Sequence, residues 1–361
     1  MASNLVRARV AAAKAGIDAL LISPGADLRY LSGYHALSLE RLTCLVVPAL
    51  GEPFLIVPAL ELPSAQAIDG LDIELVPYVE TDDAYTMVAN RLAGPVSRVA
   101  VDNHMWAEKV MAFKRVLPQA DQCLAAIVLS DLRMHKAPEE VDALRRAANA
   151  IDDVHRHMSD WLRQGRTERQ VAADLRDAMI SAGHASAEFA IVASGPNAAS
   201  PHHDASDRII GPGDPVVVDI GGTMPDGYCS DCTRTYTIGE PAPDFVALYQ
   251  VLHRAQSTQT DAVRPGITAA QLDAVGRDII AEAGYGTHFT HRTGHGIGLD
   301  VHEEPYIVAG SPQVLEPGMT FSVEPGIYVP DRHGARIEDI VVCTRDGGER
   351  LNVTERGLTA L

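Results

Sequence analysis

"GRTERQVAADLRDAMISAG" (165–183) and "GITAAQLDAVGRDIIAEAG" (266–284) align without a gap, and 8 of their 19 positions are identical. Each copy leads to a Pro-Gly turn and a strand: "GPGDPVVVDIGG" (211–222) in the first case, "EPGMTFSVEPGI" (316–327) in the second. Pro212-Gly213 matches Pro317-Gly318, Val218 matches Val323, and Asp219 falls opposite Glu324. Further along, each half has a second strand carrying an acid, Asp231 in "CSDCTRTYTI" and Glu338 in "ARIEDIVVCT". Chance likeness between two alanine-rich helices would account for the helices alone. It does not account for one carboxylate on each of two strands, in the same order, twice. The pattern predicts two pseudo-symmetric halves.

Such halves bring four acids toward a shared axis. Four buried like charges repel and raise each other's pKa values. Two divalent cations bring a matching positive charge, and an imidazole can add a neutral ligand. Residues two apart on a strand share a face, so Asp231, Thr233 and Thr235 group together, as do Arg336 and Glu338. "DIGGTMPDGYCSD" (219–231) reads as a hairpin whose Pro-Asp-Gly turn returns the second acid beside the first.

The stretch "THRTGHGIGLDVHEEP" (290–305) supplies the imidazoles His291, His295 and His302. His291 and His295 have the spacing of a helical zinc site, but Arg292 stands where that motif needs a glutamate, and Gly294, Gly296 and Gly298 oppose a helix. A glycine-flexed strand and loop is the better reading. Cys229 and Cys232 have metal-site spacing, yet on a strand residues three apart point to opposite faces. "GPGDP" enters a strand rather than a helix and so is a turn, not a phosphate loop. His184 and His253 read as packing or surface residues.

The chain has 361 residues, 46% hydrophobic and 22% charged, enough for two domains with cores of their own. A net charge of −18 argues against nucleic acid or an anionic membrane as partner. No apolar run has the length of a signal or a membrane span. Five cysteines, an odd number, do not suggest a disulfide framework, and a cytoplasmic protein is expected. Residues 1–127 alternate helix and strand patterns: a helix over 4–16, strands in "DALLISP", "RLTCLVVPAL", "EPFLIVPAL" and "RVAVDNH", and a helix in "WAEKVMAFKRVL". Pro138, Glu139 and Glu140 then mark a helix start that opens the second domain, 128–361.

These motifs resemble the pita-bread metallopeptidases, the group of methionine aminopeptidase, aminopeptidase P and prolidase. The group's ligand order Asp, Asp, His, Glu, Glu is met by Asp219 in "VVVDIG", Asp231 in "SDCTRT", His295 in "TGHGIGL", Glu324 in "SVEPG" and Glu338 in "RIEDI". The first domain resembles the creatinase-type N-terminal domain of the Xaa-Pro peptidases. One departure is that Asp219 and Asp231 are 12 apart where many members have 11, the extra residue being placed in the turn at Pro225–Gly227. The resemblance implies an α/β domain followed by an α+β pita-bread catalytic domain. It implies two divalent ions, one held by Asp219, the other by His295 and Glu324, with Asp231 and Glu338 bridging. The oxygen-rich shell suits Mn²⁺, with Co²⁺, Fe²⁺ and Zn²⁺ also compatible. It further implies Glu324 as proton acceptor, His202 and His302 as donors to the developing charge (His203 being the alternative to His202), and His291 as a binding residue. Arg336 is expected to hold the substrate's terminal carboxylate, and pairing with a site carboxylate is its structural alternative. The expected activity is cleavage before proline in dipeptides by a homodimer, with an aminopeptidase P acting on longer peptides, or a non-peptidase creatinase-like protein or peptide-binding module, as alternatives.

Overall fold

The computed structural model describes residues 2–68 and 73–361. Its contacts divide the chain into two compact units, Met1–Arg133 and Met134–Leu361. Position 127 lies within the helix Ala126–Met134, so the division falls beyond it.

In the first unit the described strands form one sheet in the order Glu74–Tyr78, Phe54–Pro58, Cys44–Pro48, Ala19–Ile22, Arg98–Val101, Asp121–Leu124. The four inner strands are those legible as apolar runs, and three of them are buried at every position. The two edge strands, "ELVPY" and "DQCL", were not expected. "DQCL" has no fully buried position and "ELVPY" turns only Val76 and Tyr78 into the core, and Pro77 is tolerated at an edge where its missing N–H breaks no central ladder.

The second unit shows the expected duplication. The helices Glu168–Ser181 and Ala269–Glu282 start with the same capping box, Thr167 with Gln170 and Thr268 with Gln271. The two caps also make equivalent isolated β-bridges, Thr167 to Ile209 and Thr268 to Val314. Each helix packs with a longer one, Pro138–Arg156 in the first half and Pro243–Ala262 in the second. Pro138 is at the start of its helix and Glu140 accepts from the Ala137 N–H at 2.8 Å.

The strands Pro215–Thr223 and Cys229–Thr237 pair without a register shift, Asp219 facing Thr233 and Asp231 facing Gly221. Both aspartates therefore lie on one face, and the 12-residue spacing is absorbed in the turn, where the Gly227 N–H donates to Met224 O at 2.8 Å. Cys229 and Cys232 enter different packing clusters, as their opposed directions require.

The second half departs from the first in one respect. Glu324 and Glu338 were expected on strands, but each sits in a break, Glu324 between Thr320–Val323 and Gly326–Val329, Glu338 between His333–Arg336 and Asp339–Cys343. Val323 pairs Asp339 and Gly326 pairs Arg336, so both breaks lie opposite each other at Pro325. Pro325 has no N–H for the ladder, and the hairpin divides there into two sheets. The backbone N–H groups of the two acids turn elsewhere: Glu324 donates to Thr293 O at 2.8 Å and Glu338 to Thr233 O at 3.1 Å.

Candidate metal centre

The short strand Gly294–Gly296 delivers His295 between Glu303–Ile307 and Thr320–Val323. A Cβ at Gly294 would strike the Ser322 carbonyl, and one at Gly296 the Glu304 carbonyl, so glycine here permits the close approach of three backbones. His295 Nδ1 lies 3.1 Å from the Gly296 carbonyl, which can only accept, so Nδ1 carries the proton. With the ring neutral, Nε2 is the lone pair that a cation would meet. It points at Glu324 Oε1, 3.2 Å away, and Asp231 Oδ2, 3.6 Å away.

Glu338 completes a trio with Asp231 and His295 whose donor atoms all lie within 4.8 Å of one another. Its Oε2 accepts from Thr233 Oγ1 at 2.8 Å. Asp219 Oδ2 accepts from Arg336 Nη2 at 2.6 Å. The other oxygens, Asp219 Oδ1 and Glu338 Oε1, are buried and have no hydrogen-bond partner among the described residues. Unmet buried acceptors of this kind are costly unless a cation meets them.

The electrostatics point the same way. Burial, then the charges of Glu338, Asp219 and Glu324, push the Asp231 carboxyl well above its ordinary value. Burial, then Glu324 and Asp219, do the same to Glu338. Glu324 goes the other way: burial raises it, but without a cation a His295 imidazolium donating from Nε2, with His291 and Arg336, holds it at about 2. The donor set of four carboxylates and one imidazole fits divalent ions of the Mn²⁺ type. Asp219, Asp231, His295, Glu324 and Glu338 are the residues able to hold them.

Arg336 and His291 both meet partners within the protein. The Arg336 guanidinium donates to Asp219 and, at 3.1, 2.7 and 3.2 Å, to Thr233 Oγ1, Tyr328 OH and Pro201 O. These are the contacts of the structural alternative, pairing with a site carboxylate. The Tyr328 hydroxyl, accepting from Arg336, donates to His291 Nε2 at 2.9 Å, and His291 Nδ1 donates to Arg292 O at 2.7 Å. Both His291 nitrogens are thereby used, so His291 supports Tyr328 instead of offering a free donor. Tyr328 itself is marked by no sequence motif, its place being set by the pairing of Gly326–Val329 with His333–Arg336.

His302 stacks edge-on against His295, ring centroids 4.1 Å apart. His203 turns away and donates from Nε2 to Glu168 Oε2 at 2.8 Å. His202 is exposed and close enough to act on His291 and His302, whose pKa values are lowered by burial first and then by neighbouring charges including that of His202. One further cation stands at the site. The Arg292 guanidinium lies 4.3 Å over the ring of Tyr306, which faces His295 across the strand pair. Among the described residues this guanidinium makes no ion pair or hydrogen bond, and its charge bears on His302.

Residues 142–345 match metallopeptidase family M24, and residues 5–135 match the creatinase/prolidase N-terminal domain. The chain belongs to metallopeptidase family M24. It is 50% identical over 359 residues to the probable dipeptidase PepE of Mycobacterium tuberculosis, covering 97% of this chain and 94% of that protein. It is 37% identical over 357 residues to a Xaa-Pro dipeptidase of Lactobacillus delbrueckii subsp. lactis, covering 96% and 95%. The crystal structure of dipeptidase PepE from Mycobacterium ulcerans superposes with a TM-score of 0.94 at 50% identity, covering 99% of this chain and 97% of that one. The pita-bread fold and the N-terminal domain expected from the resemblance are the ones observed. Family M24 membership implies divalent-metal use and peptide substrates. Among the described residues no helix is long and apolar enough to cross a membrane.

Proposed function

We propose that this M24 member is a dinuclear-metal Xaa-Pro dipeptidase. The observation that carries the reading is the convergence of Asp231, Glu324 and Glu338 on His295 Nε2, with the charge of Asp219 bearing on Asp231 and Glu338 and two buried carboxylate oxygens unmet. The names of the relatives, a Xaa-Pro dipeptidase and probable dipeptidases, support the substrate class. Asp219 would hold one ion, His295 and Glu324 the other, and Asp231 and Glu338 both. Bound there, Mn²⁺ supplies Lewis-acid polarisation of the scissile carbonyl and a nucleophile available at neutral pH. Glu324, ionised and beside the reacting centre, takes up the proton. His202 and His302 donate hydrogen bonds to the charge that develops in the transition state. Arg336 keeps Asp219 aimed by holding one of its oxygens. The five cysteines, all free, fit a reducing compartment such as the cytoplasm. The homodimer rests on the family resemblance.

Preference for a dipeptide needs a cation near the scissile bond to meet the terminal carboxylate. Arg292, fixed on Tyr306 and without an acidic partner, fills that part in place of Arg336. The test is the ratio of kcat/KM for Gly-Pro to that for Gly-Pro-amide. A charge-assisted contact is worth about 1.5–3 kcal/mol, so Arg292→Ala is expected to lower the ratio about 10- to 100-fold. Arg336→Lys is expected to leave the ratio unchanged and to reduce metal content. An unchanged ratio in Arg292→Ala would favour an aminopeptidase acting on longer peptides.

A further inference from the structure

Glu168 is the first residue of its helix, and its side chain has no exposed surface. Oε1 accepts from Ser194 N at 2.7 Å, Ser194 Oγ at 2.6 Å and Asn197 Nδ2 at 3.0 Å. Oε2 accepts from His203 Nε2 at 2.8 Å, Ser206 N at 3.0 Å, Ser206 Oγ at 2.6 Å and Asn197 Nδ2 at 3.1 Å. Burial alone would raise this carboxyl, but the bonds from Ser194, Ser206 and His203 hold it at about 2.

Every one of these donors belongs to the segment 194–206, and they lie on both sides of His202. The same segment is tied to the metal centre at Pro201, whose carbonyl accepts from Arg336. His202 therefore sits between a carbonyl bound to the arginine of Asp219 and an imidazole bound to Glu168. The second half contains a parallel arrangement. Asp273, on the equivalent helix Ala269–Glu282, accepts from Thr293 N at 3.2 Å and Thr293 Oγ1 at 2.9 Å, just before His295. In each half a buried helix carboxylate anchors the chain that carries a site histidine.

We propose that Glu168 is the positioning residue for His202, holding the 194–206 segment so that this imidazole faces the reaction while His203 is kept turned away. The proposal rests on the reading of His202 as a donor to the reacting group. It requires a carboxylate, because only acceptors can meet donors at both oxygens. A glutamine would place an amide N–H₂ against either Ser194 and Asn197 or His203 and Ser206, freeing one side of the segment.

The test is a double-mutant cycle on the Mn²⁺-loaded protein with Gly-Pro as substrate. His202→Ala is expected to lower kcat about 10²–10³-fold, the loss of one well-placed donor. Glu168→Gln is expected to lower kcat about 10–10²-fold with KM within about threefold, since a donor displaced by an ångström loses its effect. In the double variant the loss should stay within about threefold of His202→Ala alone, because the two act as one unit. His203→Ala, which removes one of the bonds without emptying the buried site, should repeat this non-additivity with a smaller loss. That variant decides the matter if Glu168→Gln does not fold. Full kcat in Glu168→Gln, or losses that multiply in the double variant, would overturn the positioning role. A His202→Ala enzyme with unimpaired kcat would instead remove the role of His202, and with it anything for Glu168 to position.

Discussion

Chelation of the purified protein is expected to bring hydrolysis of Gly-Pro down to background, and Mn²⁺ to restore it. None of the groups that converge on His295 acts as a nucleophile in the proposed reaction. Without cations, Asp231 and Glu338 carry raised pKa values from burial and the charges of neighbouring carboxylates, and among the described residues Asp219 Oδ1 and Glu338 Oε1 have no partner. Divalent ions relieve both conditions at once, so the metal-loaded protein should also melt higher. Ions at about 100 times their dissociation constant would add about 2.7 kcal/mol per site. The check is activity and thermal melting in the same preparation, before and after chelation and after adding Mn²⁺, Co²⁺, Fe²⁺ or Zn²⁺. Full activity in protein verified to be metal-free would contradict the assignment of the site.

Asp231→Asn should be inactive for lack of metal, whereas His302→Ala should keep its metal and lose rate. Asp231 is fully enclosed, lies 3.6 Å from His295 Nε2 and is assigned to both ions. Its amide removes one negative charge and leaves a weaker ligand, so at least one ion is expected to be lost on dialysis, with activity falling to background. His302 lies perpendicular to His295, ring centroids 4.1 Å apart, and is assigned to neither ion. Removing one hydrogen-bond donor to the transition state costs about 10²–10³ in kcat. Metal analysis of the two variants beside their kcat values separates the roles, and equal metal loss in both would refute the division.

The duplication was legible because it is written in chemically distinct residues, the aligned helix sequences, the Pro-Gly turns and the acids that follow them. These mark element ends and buried charges, which sequence registers directly. The edge strands "ELVPY" and "DQCL" were not legible, because the first turns only two residues, Val76 and Tyr78, inward and the second buries none fully, too little for a pattern to register. The breaks at Glu324 and Glu338 follow from Pro325, but only once the pairing partner of Pro325 is known. Strand periodicity correctly aims Arg336 at the acids, yet it cannot count how many partners await the guanidinium, and Asp219, Thr233, Tyr328 and Pro201 occupy it. His203 is held by Glu168, more than 30 positions earlier in the chain, which no local spacing reveals. Arg292 drew notice only as the residue that spoils a zinc motif. Its stacking on Tyr306 arises from the register that sets Tyr306 opposite His295.

The central claim is a metal-dependent hydrolase for dipeptides ending in proline. Its most direct test is the initial rate on Gly-Pro, Gly-Pro-Pro and Gly-Ala as Mn²⁺ is titrated into metal-free protein. The account predicts that the Gly-Pro rate rises with metal until two ions are bound per chain. It also predicts that, at that point, Gly-Pro is cleaved well ahead of both Gly-Pro-Pro and Gly-Ala. Equal rates on Gly-Ala, or a Gly-Pro rate indifferent to added metal, would contradict it.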